Sequence, residues 1–389
     1  MLELADRTRA ISASMTLAIS SRAKAMREEG IDVCNFGVGE PDFITPEPMR
    51  QAAKDALDAG QTKYAPAGGV ARLRQLIARK LAEENGLQYR PEQVMVSTGG
   101  KQALFNVLVT LLGPGDECLI PAPYWVSYPE IVKLARAVPV YLPTTAETGF
   151  KITAEQLDRA INGRTRALIL NSPSNPTGMI YTRDELEALA EVIVRHEIAV
   201  IADEIYEKLI YDGADHISIG SLNERMLDLT ITCNGFSKAY AATGWRLGYA
   251  AGPAHVIKAA IDIQSHSTSG ANTFAQYGAI AALEGPQDAV EEMRQEFALR
   301  RDLMHRAVIS IPGLACVKPE GAFYLFINIR QTGLDSIAFC RQLLEEGQVA
   351  AVPGIAFGMD DYIRLSYATD RETIQKGVER LERFVRSLS

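Results

Sequence analysis

Apolar residues recur along the chain in two rhythms. Val70, Leu73, Leu76, Ile77 and Leu81 fall at i, i+3 and i+4 spacing, which predicts a helix stopped by Gly86. Short, almost unbroken apolar runs predict buried strands at 93–97, 117–120, 138–142, 166–170, 198–202, 229–233 and 246–251. Helical patterns at 101–112, 124–135, 153–160 and 182–196 lie between the earlier ones, the first closed by Gly113-Pro114-Gly115. Strands alternating with helices of this length predict an α/β fold, a mainly parallel sheet covered by helices on both faces.

The texture changes after about residue 285. A long charged amphipathic helix at Glu291–Ile309 is followed by a strand at 323–329, a helix at 335–346, strands at 348–352 and 362–367, and a terminal helix at 371–387. That is an α+β pattern, and the first 45 residues do not share the α/β rhythm either. The expected division is a large domain over 46–285 and a smaller α+β domain made of 1–45 and 286–389.

Composition narrows the function. The chain has 389 residues, 47% of them hydrophobic and 23% charged, which is ordinary globular material. Forty basic residues against 48 acidic ones give a net charge of −8, so no global basic field marks it for nucleic acid or a membrane surface. Its five cysteines, Cys34, Cys118, Cys233, Cys316 and Cys340, are dispersed and include no C-x-x-C pair, as expected of reduced thiols in the cytoplasm. The start, MLELADRTRA, has no apolar secretory core, and the most apolar stretch, 103–112, is too short to span a bilayer.

Several signatures fail. Gly37-Val-Gly39-Glu-Pro41 opens like a dinucleotide fingerprint but runs into proline. Gly100-Lys101 is followed by Gln102 where a P-loop needs Ser or Thr, and Met95 replaces its first glycine. No Cys/His cluster has zinc spacing, and no metal is expected.

Three segments are costly as pure structure. Asp203 ends the apolar strand AVIAD, where α/β sheets bind ligands, although an Asp there also serves as a helix N-cap. Lys238 lies just beyond the strand LTITC, an expensive place for an ammonium group unless it is paired or used, although most lysines are simply solvated. Asn171-Ser-Pro-Ser-Asn175-Pro-Thr-Gly178 is a stiff loop after the strand RALIL, and alone it reads as a turn.

Taken with Gly37-Val-Gly39-Glu-Pro-Asp42, Lys63-Tyr64-Ala-Pro66, Ser97-Thr-Gly-Gly-Lys101-Gln, Pro123-Tyr-Trp125-Val-Ser-Tyr128, Asp203-Glu-Ile-Tyr206, Ser237-Lys238 with Arg246-Leu-Gly-Tyr249, and Arg364-Leu-Ser-Tyr367, the chain resembles the fold-type I, pyridoxal-phosphate-dependent class I aminotransferases. It is most similar to the bacterial aspartate and prephenate group, and the motifs run in family order through effectively the whole chain. The resemblance implies a seven-stranded large-domain sheet, pyridoxal 5′-phosphate as cofactor, small amino and 2-oxo acids as substrates, and a homodimer.

The same resemblance assigns roles, and the chemistry explains the residue types. Lys238 would condense with the cofactor aldehyde and serve as catalytic base. Asp203 would keep the ring nitrogen protonated. Tyr206 and Asn175 would donate to the phenolic oxygen. The phosphate would sit on the helix N-terminus at Gly100-Lys101, with Arg246, Ser237 and, from the neighbouring subunit, Tyr64. Trp125 would stack on the ring, although a tryptophan is more often core. Arg364 would grip the substrate α-carboxylate bidentately, with the Gly39 N–H approaching the same group; taken alone it is a surface arginine on an edge strand. Lys101 would reach the distal carboxylate of an acidic substrate, and Thr16 with Lys101 matches the pattern that accepts prephenate. The sequence departs from many relatives at Gly235, where they carry a serine. An aromatic aminotransferase and a C–S β-lyase are the rival activities on the same residues.

Overall fold

A computed structural model describes residues 2–12 and 15–388, with the side chains of residues 16 and 17 outside the description. Among the described residues thirteen strands form three sheets. A two-residue strand β1 (Cys34–Asn35) comes first. The main sheet takes β2 (Val94–Ser97), β3 (Glu117–Ala122), β4 (Val138–Pro143), β5 (Thr165–Asn171), β6 (Ala199–Asp203), β7 (Thr230–Gly235) and β8 (Gly248–Ala251). The remaining strands are β9 (Ala315–Cys316), β10 (Tyr324–Asn328), β11 (Val349–Ala350), β12 (Val352–Pro353) and β13 (Tyr362–Ser366).

The main sheet has the order β2-β8-β7-β6-β5-β3-β4. Strands β3 to β7 run parallel, and β8 is antiparallel to both of its neighbours, β2 and β7. The apolar runs have this origin: β6 and β7 are buried along nearly their whole length because helices cover both faces. Register places Asn171 opposite Asp203 and Asp203 opposite Cys233, so the C-terminal ends of β5, β6 and β7 finish side by side. Helices alternate with these strands as the periodicity predicts. The helix Ala71–Asn85 ends on Gly86 in the left-handed conformation, φ 69°.

The second sheet is antiparallel, in the order β12-β13-β10-β9. The run 348–352, expected as a single strand, divides at Ala351. Its first half, β11, pairs in parallel with β1, and its second half, β12, joins the antiparallel sheet. Residues from both ends of the chain share one core: Cys34 and Phe36 pack with Phe323, Leu343, Val378 and Leu381. Among the described residues no helix is long and apolar enough to cross a membrane. All five cysteines are free.

Candidate active site

The ends of β5, β6 and β7 open into a cavity of about 520 Å³. Its wall includes Gly39, Gly100, Lys101, Trp125, Asn175, Asp203, Tyr206, Ser237, Lys238, Arg246 and Arg364. These are all but two of the residues singled out in the sequence. Thr16 falls in the helix Met15–Glu28, and its side chain lies outside the described residues. Tyr64 is 94% exposed and takes no part in the cavity of its own chain.

Asp203 is 5% exposed. Tyr128 Oη donates to its Oδ2 at 2.7 Å, and the Ile205 N–H donates to Oδ1 at 3.2 Å. Burial raises its pKa to about 6 despite these two donors. Lys238, five residues past Cys233, donates from Nζ to the Gly39 carbonyl at 2.5 Å. Burial lowers its pKa to about 8, with Glu40 opposing and the Arg364 and Arg246 charges assisting. At pH 7 roughly a tenth of this amine is neutral and available as nucleophile and base, far more than for a solvated lysine.

Arg364, on β13, is 3% exposed. Its Nη1 donates to Asn175 Oδ1 at 3.0 Å and its Nη2 to the Gly37 carbonyl at 3.0 Å. Nε has no partner. Burial lowers its pKa. Two aromatic faces flank it, Tyr324 at 4.3 Å and Phe357 at 5.0 Å from the guanidinium carbon. The edge-strand alternative therefore fails: β13 is an inner strand, and its arginine points inward.

The phosphate-type corner depends on close backbone approach. The helix Gly100–Leu111 begins without a capping side chain, leaving its first N–H groups open. A Cβ on Gly248 would stand 2.3 Å from the Gly100 nitrogen, and one on Gly235 would stand 2.9 Å from the Gly248 Cα. This accounts for the departure at Gly235: a side chain there collides with β8, so Ser237 is the serine at the cavity wall. Arg246 holds a left-handed φ of 54°, and its Nη1 donates to the Thr243 carbonyl at 2.9 Å. Lys101 Nζ sits 4.9 Å above the Trp125 ring.

Two residues escaped sequence reasoning. Tyr128 stood inside a quoted motif without a role, and the structure makes it a donor to Asp203. Tyr324 fell within the strand expected at 323–329 and had no role assigned, yet its hydroxyl lies 2.8 Å from that of Tyr206 at the cavity wall. It also explains Gly39, because a Cβ there would lie 2.8 Å from Tyr324 Oη.

The charges do not close on themselves. Among the described residues Asp203 makes no ion pair, and neither do Lys238 and Arg364. A buried carboxyl lacks a cation, and a buried guanidinium lacks an anion. That deficit fits a ligand with a cationic ring, an aldehyde and anionic groups, and the donor set suits pyridoxal phosphate.

The model of aminotransferase classes I and II matches residues 31–381. The chain belongs to that family. It is 50% identical to the aspartate aminotransferase of Geobacillus stearothermophilus over 99% of both chains. It is 46% identical to the aspartate/prephenate aminotransferase of Cereibacter sphaeroides over the full length of both. The crystal structure of the Rhizobium meliloti aspartate aminotransferase superposes with a TM-score of 0.97 at 42% identity, covering all of both chains. The fold is that of the fold-type I aminotransferases, and the family depends on pyridoxal phosphate.

Proposed function

We propose that this aminotransferase moves an amino group between aspartate or glutamate and a 2-oxo acid such as 2-oxoglutarate or oxaloacetate, with prephenate as a further acceptor. One observation carries the reading: the amine of Lys238, the cation-free carboxyl of Asp203 and the anion-free guanidinium of Arg364 share one cavity. Names support the choice of substrate, since the relatives at 46–50% identity are called aspartate or aspartate/prephenate aminotransferases. They favour neither the aromatic enzyme nor the lyase.

Lys238, Asp203, Tyr206, Asn175, Trp125, Gly100, Ser237 and Arg246 would hold the cofactor. Bound there, pyridoxal phosphate supplies an aldehyde for the amine and a protonated ring that accepts the electron pair left when the Cα proton departs. Arg364 binds and orients the α-carboxylate, using donors already aimed by Asn175 and Gly37. Lys238 takes the Cα proton onto Nζ and later returns it, a task suited to an amine whose pKa is about 8. Asp203 holds positive charge at the ring end of the cavity. Lys101, over Trp125 at the cavity wall, would meet the distal carboxylate, and Thr16 would cover it.

The same reading extends to assembly. Tyr64, exposed on its own chain, would complete the phosphate corner of a second copy in a homodimer. Residues 46–285 would act as the large domain against 1–45 with 286–389. Free, mostly buried thiols suit residence in the cytoplasm.

The test is a half-reaction screen. Holoenzyme is mixed with single amino acids, and the cofactor's colour change is followed. Aspartate and glutamate should convert it rapidly, and 2-oxoglutarate, oxaloacetate and prephenate should restore it. Lys238→Ala should abolish both turnover and the starting absorbance. Conversion by phenylalanine ahead of both acidic donors would overturn the substrate assignment, and wild-type rates in Lys238→Ala would overturn the mechanism.

A further inference from the structure

Tyr206 and Tyr324 face each other across the junction of two sheets. Tyr206 follows β6, and Tyr324 opens β10. Both are almost fully buried, at 3% and 1% exposed. Their hydroxyl oxygens are 2.8 Å apart, and among the described residues neither hydroxyl has another partner. Two hydroxyls carry two protons, and one hydrogen bond uses one of them. The second proton has no acceptor among the described residues, and both tyrosines line the cavity. A buried, unused O–H is costly, so the pair presents one donor to whatever fills the cavity.

The surroundings decide which tyrosine donates inward. Tyr324 is pinned: its ring lies under the Arg364 guanidinium at 4.3 Å, and its hydroxyl occupies the space that a Cβ on Gly39 would need. Either hydroxyl can donate to the other, and a proton directed from the pinned Tyr324 to Tyr206 leaves the Tyr206 proton for the ligand. We propose that Tyr324 is a positioning residue that donates to Tyr206, and thereby strengthens the Tyr206 hydroxyl as a donor to the phenolic oxygen of the cofactor. A donor that itself accepts a hydrogen bond is polarised and becomes stronger. The same ring carries Arg364, so a single side chain joins the carboxylate-binding corner to the cofactor-binding corner. The proposal rests on the cofactor assignment made above.

The experiment uses holoenzyme without substrate and follows the visible absorbance of the bound cofactor against pH. A stronger donor to the phenolic oxygen favours the deprotonated form of the bound cofactor, so it lowers the titration midpoint. Tyr324→Phe keeps the ring under Arg364 and removes only the hydroxyl. Its midpoint should rise by about 0.5–1 pH unit. Tyr206→Phe should raise it further, and adding Tyr324→Phe to Tyr206→Phe should change nothing more. Gly39→Ala, which crowds the same hydroxyl, gives a second route to the same upward shift. An unchanged midpoint in Tyr324→Phe, or an equal shift in the Tyr206→Phe background, overturns the relay. Unchanged titration with maleate binding weakened tenfold also overturns it, because the hydroxyl then serves the substrate carboxylate. Wild-type protein that stays colourless with added cofactor overturns the cofactor assignment first and the relay with it.

Discussion

Asp203 and Glu207 are four residues apart, and both carboxyl groups are buried, yet their surroundings treat the charge in opposite ways. Burial opposes ionisation of Glu207, but Lys80, His216 and Asn85 outweigh it and hold its pKa at about 2. Lys80 Nζ bonds to its Oε1, and Asn85 Nδ2 donates to its Oε2 at 2.7 Å. Glu204, the residue after Asp203, joins the same network through Ser218 at 2.7 Å and His216 at 3.1 Å. Burial works against a charge on His216, yet Glu204 and Glu207 beside it raise its pKa. Here two acids and two bases neutralise one another inside the chain. Asp203 receives two donors and no cation, and its pKa rises to about 6. The paired network needs no ligand for charge balance, although the buried ring nitrogens of His216 lack a well-formed hydrogen bond. The incomplete one gains charge balance only when a cation arrives in the cavity, and this difference separates structural from functional burial.

Replacing Asp203 with Asn should produce the largest effect, in two directions. Activity should fall by about 10³-fold or more, because charge at the ring end of the site is lost. Stability of the cofactor-free protein should rise. A carboxyl whose folded pKa of about 6 exceeds its ordinary 3.8 contributes stability that is complete below 3.8 and gone above about 6. At pH 8 the wild type therefore carries a burden on the order of 3 kcal/mol that Asn lacks, and the gap should close by pH 4. Thermal melts of both apo-proteins across that range check it. Equal midpoints at pH 8 would mean that Asp203 is as well satisfied as Glu207.

The complementary substitution, Glu207→Gln, should leave the chemistry alone and damage the fold. It keeps an acceptor for Asn85 but strips Lys80 of its main counter-ion, leaving Glu84 at 3.5 Å. Removing one partner of a buried pair costs about 3–5 kcal/mol, measurable by urea unfolding. The gap also has a pH window. A depressed carboxylate contributes above its ordinary 4.5, and that contribution is lost as pH falls toward about 2, so wild type and variant should converge there. Turnover per folded molecule should stay within about twofold. A large loss of turnover with full stability would erase the distinction between the two carboxylates.

The sequence exposes the incomplete network better than the complete one. Asp203 and Lys238 are legible because strand ends in a parallel sheet converge, and their short separation from β6 and β7 fixes where they emerge. Arg364 and Gly39 were placed only through family motifs, since they lie 325 residues apart and tertiary packing brings them to one cavity wall. Tyr128 and Tyr324 stayed hidden because an aromatic in an apolar run follows the core pattern whether or not its hydroxyl is used. The direction of β8 was hidden for a similar reason: a strand buried on both faces has no alternation to read. The split at Ala351 is one residue long, below what periodicity resolves.

Tyr128 makes the finest test of the contrast, because among the described residues it supplies Asp203 with its one side-chain donor. Its hydroxyl favours the ionised carboxylate and opposes the effect of burial. Tyr128→Phe leaves the ring, which packs edge-on against Trp125 at 5.3 Å, and removes only that donor. A hydrogen bond to a charged group contributes about 1.5–3 kcal/mol, so kcat/KM should fall about 10- to 100-fold. The loss should deepen at low pH, because the acid limb of the pH–rate profile moves up as Asp203 holds its proton more tightly. Near pH 5 cofactor-free stability should change far less than in Glu207→Gln, since Asp203 is by then largely protonated and has little charge left to strand. A flat loss across pH would assign Tyr128 to shape alone and leave the ionisation of Asp203 entirely to the cofactor.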